Sequence, residues 1–507
     1  MALALANPIT TFVSAFLDLR EDRSKDKGVE RCFGHFDVVA ASGIPIHLFL
    51  SRSYEELWAE RAHPNVTVEW IELEDLDTYK EVLAAEEAVG QPMGLPQQRT
   101  PHHDTRNFMI LMNCKAELVG RVARSLALTT QVAWLDFSIA HVFKDVGAAL
   151  NSLRLLAHTR LKDSTRLAFP GCWYRGAHHD NLFGGINWRF CGGFFIGGVS
   201  AATAFADLYR SAWPTALRSR RCLTWEVNFW HWLECEAAAV GSPLASHSPT
   251  FVPTWFPADH NDSIVRVPPT LFHVVASLTT IPPRLADGSC KAAIDSVLGQ
   301  VDTVYLTIPL EYGRFPGEVS LPAWLGDAPY SSRVIVVRPP VDAGPAAKYL
   351  GALEAIPAGS WIFVCDDDQE YRDGLVGRML PSVKQLAVVQ NHLLPIRAKT
   401  SGGLVHGYVG LLVPRAALEG LGSFPLPPAA KFVDDQWMSI FCHKTGLPVA
   451  PSGVEQYSDI FAVLEGGWHE KLGSAALSGL SNRDEKVAEI AAAFGVQFLP
   501  GGEISSV

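Results

Sequence analysis

With 507 residues the chain can build two or three cores, and 48% apolar with 19% charged residues excludes a disordered or fibrous protein. A formal charge of −11 without any basic run excludes a nucleic-acid binder. Nine cysteines with no CxxC pair and no zinc spacing exclude a disulfide scaffold and fit a reducing compartment.

The apolar N-terminus has no basic region, is interrupted by Pro8 and is closed by Asp18 and Arg20. It is expected to be a strand over Thr10–Leu17, not a leader or a membrane span. No other apolar run has membrane length, so the expectation is a soluble, cytoplasmic protein without an integral membrane segment. A charged loop precedes a helix over Val29–Ala41, which Ser42 and Gly43 end. Strands follow at Ile44–Leu50 and Val66–Leu73, a β-loop-α-β rhythm that a mostly parallel sheet requires. Gln91–Thr105, with His102 and His103, reads as a loop, and apolar residues at helical spacing occupy Asn107–Leu126.

Gln131–Phe137 is an apolar strand ending in one carboxylate, Asp136, where a second acid would be needed for a strong metal site. Asn187–Val199 holds two Gly-Gly pairs, Gly192-Gly193 and Gly197-Gly198, which permit close backbone approach. His178 and His179, just before it, are expected to be loop residues. A helix bearing Trp225, Glu226, Asn228 and Trp232 follows, its tryptophans assigned to the core. The proline pair in Val265–Leu271 marks a stiff connector and divides the chain into domains 1–267 and 268–507.

The second half repeats the plan, with strands at Phe272–Thr280, Val301–Pro309 and Arg333–Arg338 and helices at Lys291–Leu298 and Pro345–Leu353. Then comes WIFVCDDDQEY, Trp361–Tyr371: a buried strand running straight into Asp366, Asp367 and Asp368. Ligands collect beyond the carboxyl ends of strands in open α/β sheets. Acids crowded there repel one another unless a cation is present, and a hard ion such as Mn²⁺ or Mg²⁺ suits carboxylate oxygens and can also hold a diphosphate. A solvated acidic turn is the plain alternative.

Several ordered motifs carry resemblances. TTFVSAFLDL, MNCKAEL, WLDFSIAHVF, FCGGFFIGG, LTWEVNFWHWL and WFPADHNDSI, over roughly residues 8–266, resemble the HtrL/YibB family, which is glycosyltransferase-like. That resemblance implies a pocket from Lys115, Asp136, Gly192, Gly193, Glu226 and Asn228. LTTIPPRL, YLTIPLEYGR, DAGPAAKYLGAL, VCDDDQEY, HGYVGLLV and FVDDQW, from about 272 to 485, resemble GT-A-type nucleotide-sugar glycosyltransferases. The expected fold is therefore α/β, with two Rossmann-like GT-A-type domains, each a mostly parallel sheet flanked by helices.

The second resemblance gives Asp366 and Asp368 the Asp-x-Asp metal role, with Asp367 turned toward a donor hydroxyl. It makes Asp435, ahead of Asp434, the base that takes the acceptor's proton; both acids also suit a helix's first turn. His469 is a candidate third metal ligand. Lys348, after Gly344 and Pro345 at a helix start, is either a phosphate ligand or an ordinary solvated lysine; Arg284 and Thr279 suit the donor pocket. The implied activity is metal-dependent, inverting transfer from a nucleoside-diphosphate-sugar donor to a glycan or glycoconjugate acceptor, in one or both halves. Two alternatives stand beside it: a nucleotidyl- or phosphotransferase, and an N-terminal half that is a non-catalytic glycan-binding or scaffold module.

Overall fold

The computed structural model describes residues 5–19, 28–176, 182–238, 252–259, 262–391, 404–462, 482–499 and 503–507. The chain forms two compact units. The N-terminal unit comprises Pro8–Ala157 and Asp163–Pro268; the C-terminal unit takes His158–Lys162, Pro269–Val507 and the residues before Pro8. Both are α/β, with a largely parallel sheet flanked by helices.

The N-terminal sheet contains β1 (Thr10–Phe16), β2 (Ile46–Leu50), β3 (Val66–Trp70), β4 (Gln131–Leu135), β5 (Leu167–Ala168) and β6 (Phe194–Gly198), in the order β3-β2-β1-β4-β6-β5. Strands β1 to β4 are mutually parallel where they pair, and β6 runs antiparallel to both β4 and β5. Strand β1 is central and apolar toward both faces, and Phe12 and Val13 are fully buried, as expected when helices cover both sides of a sheet. The helical stretch expected over Asn107–Leu126 is two helices, Arg106–Asn113 and Lys115–Ala123, so Lys115 opens the second.

That second helix packs on a 22-residue helix, Val199–Arg220, where a Cβ on Gly120 would come within 2.3 Å of the Ala206 Cβ. The long helix left little trace in the sequence. It is rich in small residues and carries an interior proline, Pro214, both of which dilute a helical pattern. Trp225, Trp230 and Trp232 are buried core residues, as their pattern suggested.

The C-terminal sheet contains β7 (Val274–Thr279), β8 (Thr303–Thr307), β9 (Val334–Val337), β10 (Trp361–Val364), β11 (Val388–Gln390), β12 (Leu411–Pro414) and β13 (Val449–Pro451). Its order is β13-β11-β12-β10-β7-β8-β9. Strands β7 to β10 pair in parallel, and β12 is antiparallel to β10 and β11. When strands are numbered from the first of each unit, both sheets run 3-2-1-4-6-5 with the sixth strand reversed, and the C-terminal unit adds β13 beside its fifth. The common plan read in the two halves is thus a common topology.

One boundary differs from the single cut near residue 267. The segment His158–Lys162 belongs to the C-terminal unit. The Arg160 N–H donates to the Gly359 carbonyl at 2.8 Å, the His273 N–H donates to the Arg160 carbonyl at 2.9 Å, and the Lys162 N–H donates to the Leu271 carbonyl at 2.8 Å. The helix expected at Pro345–Leu353 is also shorter, a 3₁₀ turn at Gly344–Ala346 followed by Ala347–Leu350. Among the described residues, no helix is long and apolar enough to cross a membrane.

Candidate functional site

In the C-terminal unit the strand order reverses between β7 and β10, and a ligand crevice is expected beyond their carboxyl ends. A cavity of about 470 Å³ lies there. Thr279, Arg284, Lys348, Asp366, Asp367, Asp368, Asp434 and Asp435 all line it. The candidates drawn from four separated motifs therefore converge on one place. His469 lies outside the described residues, as do His178 and His179.

Each side chain is delivered by a distinct local device. Pro282 and Pro283 occupy the first positions of the helix Pro282–Asp287, where a missing N–H costs nothing, and Arg284 follows them. Its guanidinium pairs with the Asp367 carboxylate and donates to Asp368 Oδ2 at 2.6 Å. Asp367 is only 4% exposed at the cavity wall, and its carboxylate faces Arg284. Lys348 is 3% exposed, which removes the solvated-lysine alternative. Its ammonium lies 2.6 Å from Asp366 Oδ1, 2.8 Å from Asp434 Oδ2 and 3.9 Å from Asp435 Oδ1. Asp434 and Asp435 occupy the first turn of the helix Asp434–Thr445, and Asp435 Oδ1 accepts the Gly407 N–H at 2.9 Å. The Thr279 hydroxyl is spent on the Thr307 carbonyl at 3.0 Å.

The electrostatics follow from this packing. Burial pushes Asp434 up to about 6, against the opposing pull of Lys348. Burial likewise pushes Asp367 up to about 6, with Arg284 opposing. Asp368 and Asp435 are also raised, chiefly by burial. Burial disfavours the charge on Lys348, but Asp366 and Asp434 outweigh it and hold the ammonium well above its ordinary value. Six aspartates line the cavity against five lysines and arginines, a density of charge that solvent alone would not favour in a crevice.

The donor set fits a hard divalent ion by chemistry. Asp366 and Asp368 offer carboxylate oxygens, and Mg²⁺-like ions commonly take one or two carboxylates and complete their shell with water and phosphate. Among the described residues no three His, Cys, Asp or Glu side chains form a closed metal cage. Other lining residues carried no role in the sequence reading: Tyr312, Arg314, Phe315, His406, Tyr408 and Arg483. Tyr312 and Arg314 stand in YLTIPLEYGR, and His406 and Tyr408 in HGYVGLLV, so the motifs held the signal without assigning it. Arg483 had no local signal. Burial lowers the His406 imidazole, and its Nε2 finds no hydrogen-bond partner among the described residues.

The N-terminal unit places its candidates at the matching position, beyond the end of β4 at the β1/β4 reversal. Lys115 is 1% exposed, and its ammonium donates to Gly192 O at 2.9 Å and Glu226 Oε1 at 2.8 Å, with Asp136 Oδ1 at 2.8 Å. Burial pushes the Glu226 carboxyl up despite Lys115. Gly192 is required here, because a Cβ would stand 2.1 Å from Glu226 Oε1. Gly193 borders Asp136 and not Glu226. Asn228 does not line an opening. It is fully buried, accepts the Asn187 N–H at 2.6 Å and donates to the Leu182 and Gly185 carbonyls at 2.7 Å each, fastening a loop.

No family model matches the chain, and no curated protein matches it. Among solved structures, mouse xyloside xylosyltransferase 1 in its apo form matches at a TM-score of 0.25 and 11% identity, covering 46% of this chain and 82% of that one. A likeness this slight carries no argument about activity.

Proposed function

We propose that the C-terminal unit is a metal-dependent, inverting glycosyltransferase that moves a sugar from a nucleoside-diphosphate donor to a glycan hydroxyl. The observation that carries this reading is the meeting of Arg284, Lys348, the Asp366–Asp368 turn and the Asp434–Asp435 turn in one cavity at the sheet's reversal. Transfer of this kind needs charge to meet a departing diphosphate and a base beside the acceptor, and both kinds of group are gathered here. Mn²⁺ or Mg²⁺, held by Asp366 and Asp368, would supply Lewis-acid neutralisation of the leaving diphosphate.

The side chains divide the remaining work. Arg284 fixes Asp367 and Asp368, and Lys348 fixes Asp366 and Asp434, so the carboxylates are oriented before substrate arrives. Asp434 is held by Lys348 at 2.8 Å, whereas Asp435 stands 3.9 Å away and is the less tightly paired of the two, which leaves it freer to meet an acceptor hydroxyl. Asp435 therefore takes the proton as the acceptor oxygen bonds to the anomeric carbon and the sugar–diphosphate bond breaks. One base and a single displacement invert the anomeric centre. Tyr312 and Phe315 give the cavity aromatic surface suited to the flat base or the sugar of the donor.

The test is incubation of the protein with UDP-, GDP- and dTDP-sugars, a mixed glycan acceptor pool and Mn²⁺. Release of nucleoside diphosphate with label in the glycan supports the reading. Release of sugar 1-phosphate, from cleavage between the donor's two phosphates, would make the site a nucleotidyltransferase and overturn it.

A further inference from the structure

The two units share more than strand order. In each, a buried lysine ahead of the fourth strand bridges a carboxylate just past that strand's end to a carboxylate in the first turn of a later helix. The sets are Lys115 with Asp136 and Glu226, and Lys348 with Asp366 and Asp434. Both stand where the strand order reverses. We infer that the N-terminal unit carries a second ligand site at this position, one that takes the hydroxyl groups of a neutral carbohydrate without a divalent ion.

The chemistry of the two lysines separates their ligands. An ammonium has three N–H groups. Lys115 spends all three, on Gly192 O, Glu226 Oε1 and Asp136 Oδ1 at 2.8–2.9 Å, and has none left for a phosphate. One cation against two carboxylates also leaves no positive charge to draw a diphosphate. Two residues past Asp136 stands Ser138, where the other unit has Asp368 two past Asp366, so the second carboxylate of a metal pair is missing.

Among the described residues, what remains open is an acceptor. Asp136 Oδ1 is fixed from two sides, by Lys115 at 2.8 Å and by the Trp134 indole N–H at 2.6 Å. The carboxylate is nonetheless 37% exposed. Its other oxygen, Oδ2, borders Gly193, where a side chain's Cβ would stand 3.5 Å from Oδ2 and from Ile139 and Ile264. A carboxylate oxygen held in place, with apolar carbon beside it and no Cβ in the approach, matches a sugar's pattern of O–H donors beside C–H faces. Pre-fixing the acceptor spares the ordering cost of binding. This inference rests on the N-terminal geometry and stands or falls independently of transfer by the C-terminal unit.

The experiment is a glycan array probed with labelled full-length protein in EDTA and without any nucleotide, followed by calorimetry on the bound glycan. Wild type is expected to bind. Asp136→Asn should weaken binding at least tenfold, and Gly193→Ala, which leaves every charge in place and adds a methyl group at ordinary contact distance from Oδ2, should do the same. Melting curves show whether each variant is folded; should Asp136→Asn unfold, Gly193→Ala decides. An array without a bound glycan, or binding unchanged in the folded variants, overturns the inference. So does EDTA-resistant binding of UDP that Gly193→Ala abolishes, since the site would then be a nucleotide site.

Discussion

At the scale of single residues, the C-terminal cavity sets two carboxylates apart by what each touches. Asp434 sits on Lys348 and is pushed up to about 6 by burial. A folded-state value above the unfolded one, about 3.9, means that the native protein binds the extra proton between these values. The stabilising contribution of Asp434 is thus full below about pH 4 and is lost as pH rises through about 6. Asp434→Asn mimics the protonated form. In EDTA, urea midpoints from pH 4 to 7 should therefore show wild type losing stability relative to this variant as pH rises; a constant difference would refute the shift. On the proposed reading Asp435 differs, because its part is to take the proton of the acceptor and not to hold the donor. Asp435→Asn should leave donor affinity near wild type and lower single-turnover transfer by roughly 10²–10⁴-fold, the span for losing a general base. Calorimetry beside rapid-quench kinetics checks it, and an inactive Asp434→Asn with a fully active Asp435→Asn would move the role back one position. The three acids of Asp366–Asp368 were legible because an apolar run ends abruptly in charge. The burial of Lys348 was not, since its partners Asp366 and Asp434 lie 18 and 86 positions away and no local pattern links them.

At the scale of elements, short turns deliver the chemistry, and glycines let the turns close. Gly344 has φ of +60°, a conformation that side chains disfavour, and a Cβ there would stand 2.6 Å from the Lys431 carbonyl oxygen. Backbone cannot yield as a flexible side chain can. Gly344→Ala should cost roughly 1–3 kcal/mol from the strained backbone and the clash together. It should also lower transfer, because Lys348 follows four residues on; urea unfolding and turnover measured together test this. Unchanged stability would mean that the turn can relax around a methyl group. Strand existence was the most legible feature at this scale, since runs such as Trp361–Val364 are apolar throughout and fully buried. Helix bounds were less so. Pro345–Leu353 looks continuous, yet the helix stops at Leu350, and a Cβ on Gly351 would meet the Thr307 side chain at 2.3 Å. The turn beneath strand β8 therefore depends on tertiary contact that spacing in the sequence does not encode.

At the scale of the whole molecule, one sequence holds two sheets of the same order, and the chain does not pass from one to the other only once. The Pro-rich connector at 265–271 announced the main boundary, but nothing local marks His158–Lys162 as part of the C-terminal unit. Its membership is written in backbone hydrogen bonds to Leu271, His273 and Gly359, residues more than a hundred positions away. Its Thr159 Oγ1 also accepts the Trp361 indole N–H at 3.3 Å, and Trp361 is fully buried at the start of the strand that leads to the Asp366–Asp368 turn. A protein cut to residues 268–507 would lose these bonds and expose apolar surface around Trp361. Each lost hydrogen bond costs about 0.5–1.5 kcal/mol, so three to four of them are a large share of a domain's net stability. The expectation is that 268–507 alone melts well below the same unit carrying residues 158–162 joined through a flexible Gly/Ser linker. Circular dichroism melts of the two proteins, with tryptophan fluorescence recorded alongside, make the comparison. Equal melting temperatures would show that the returning segment adds nothing to the unit, and a single cut near 267 would then describe the chain's folding as well as its sequence.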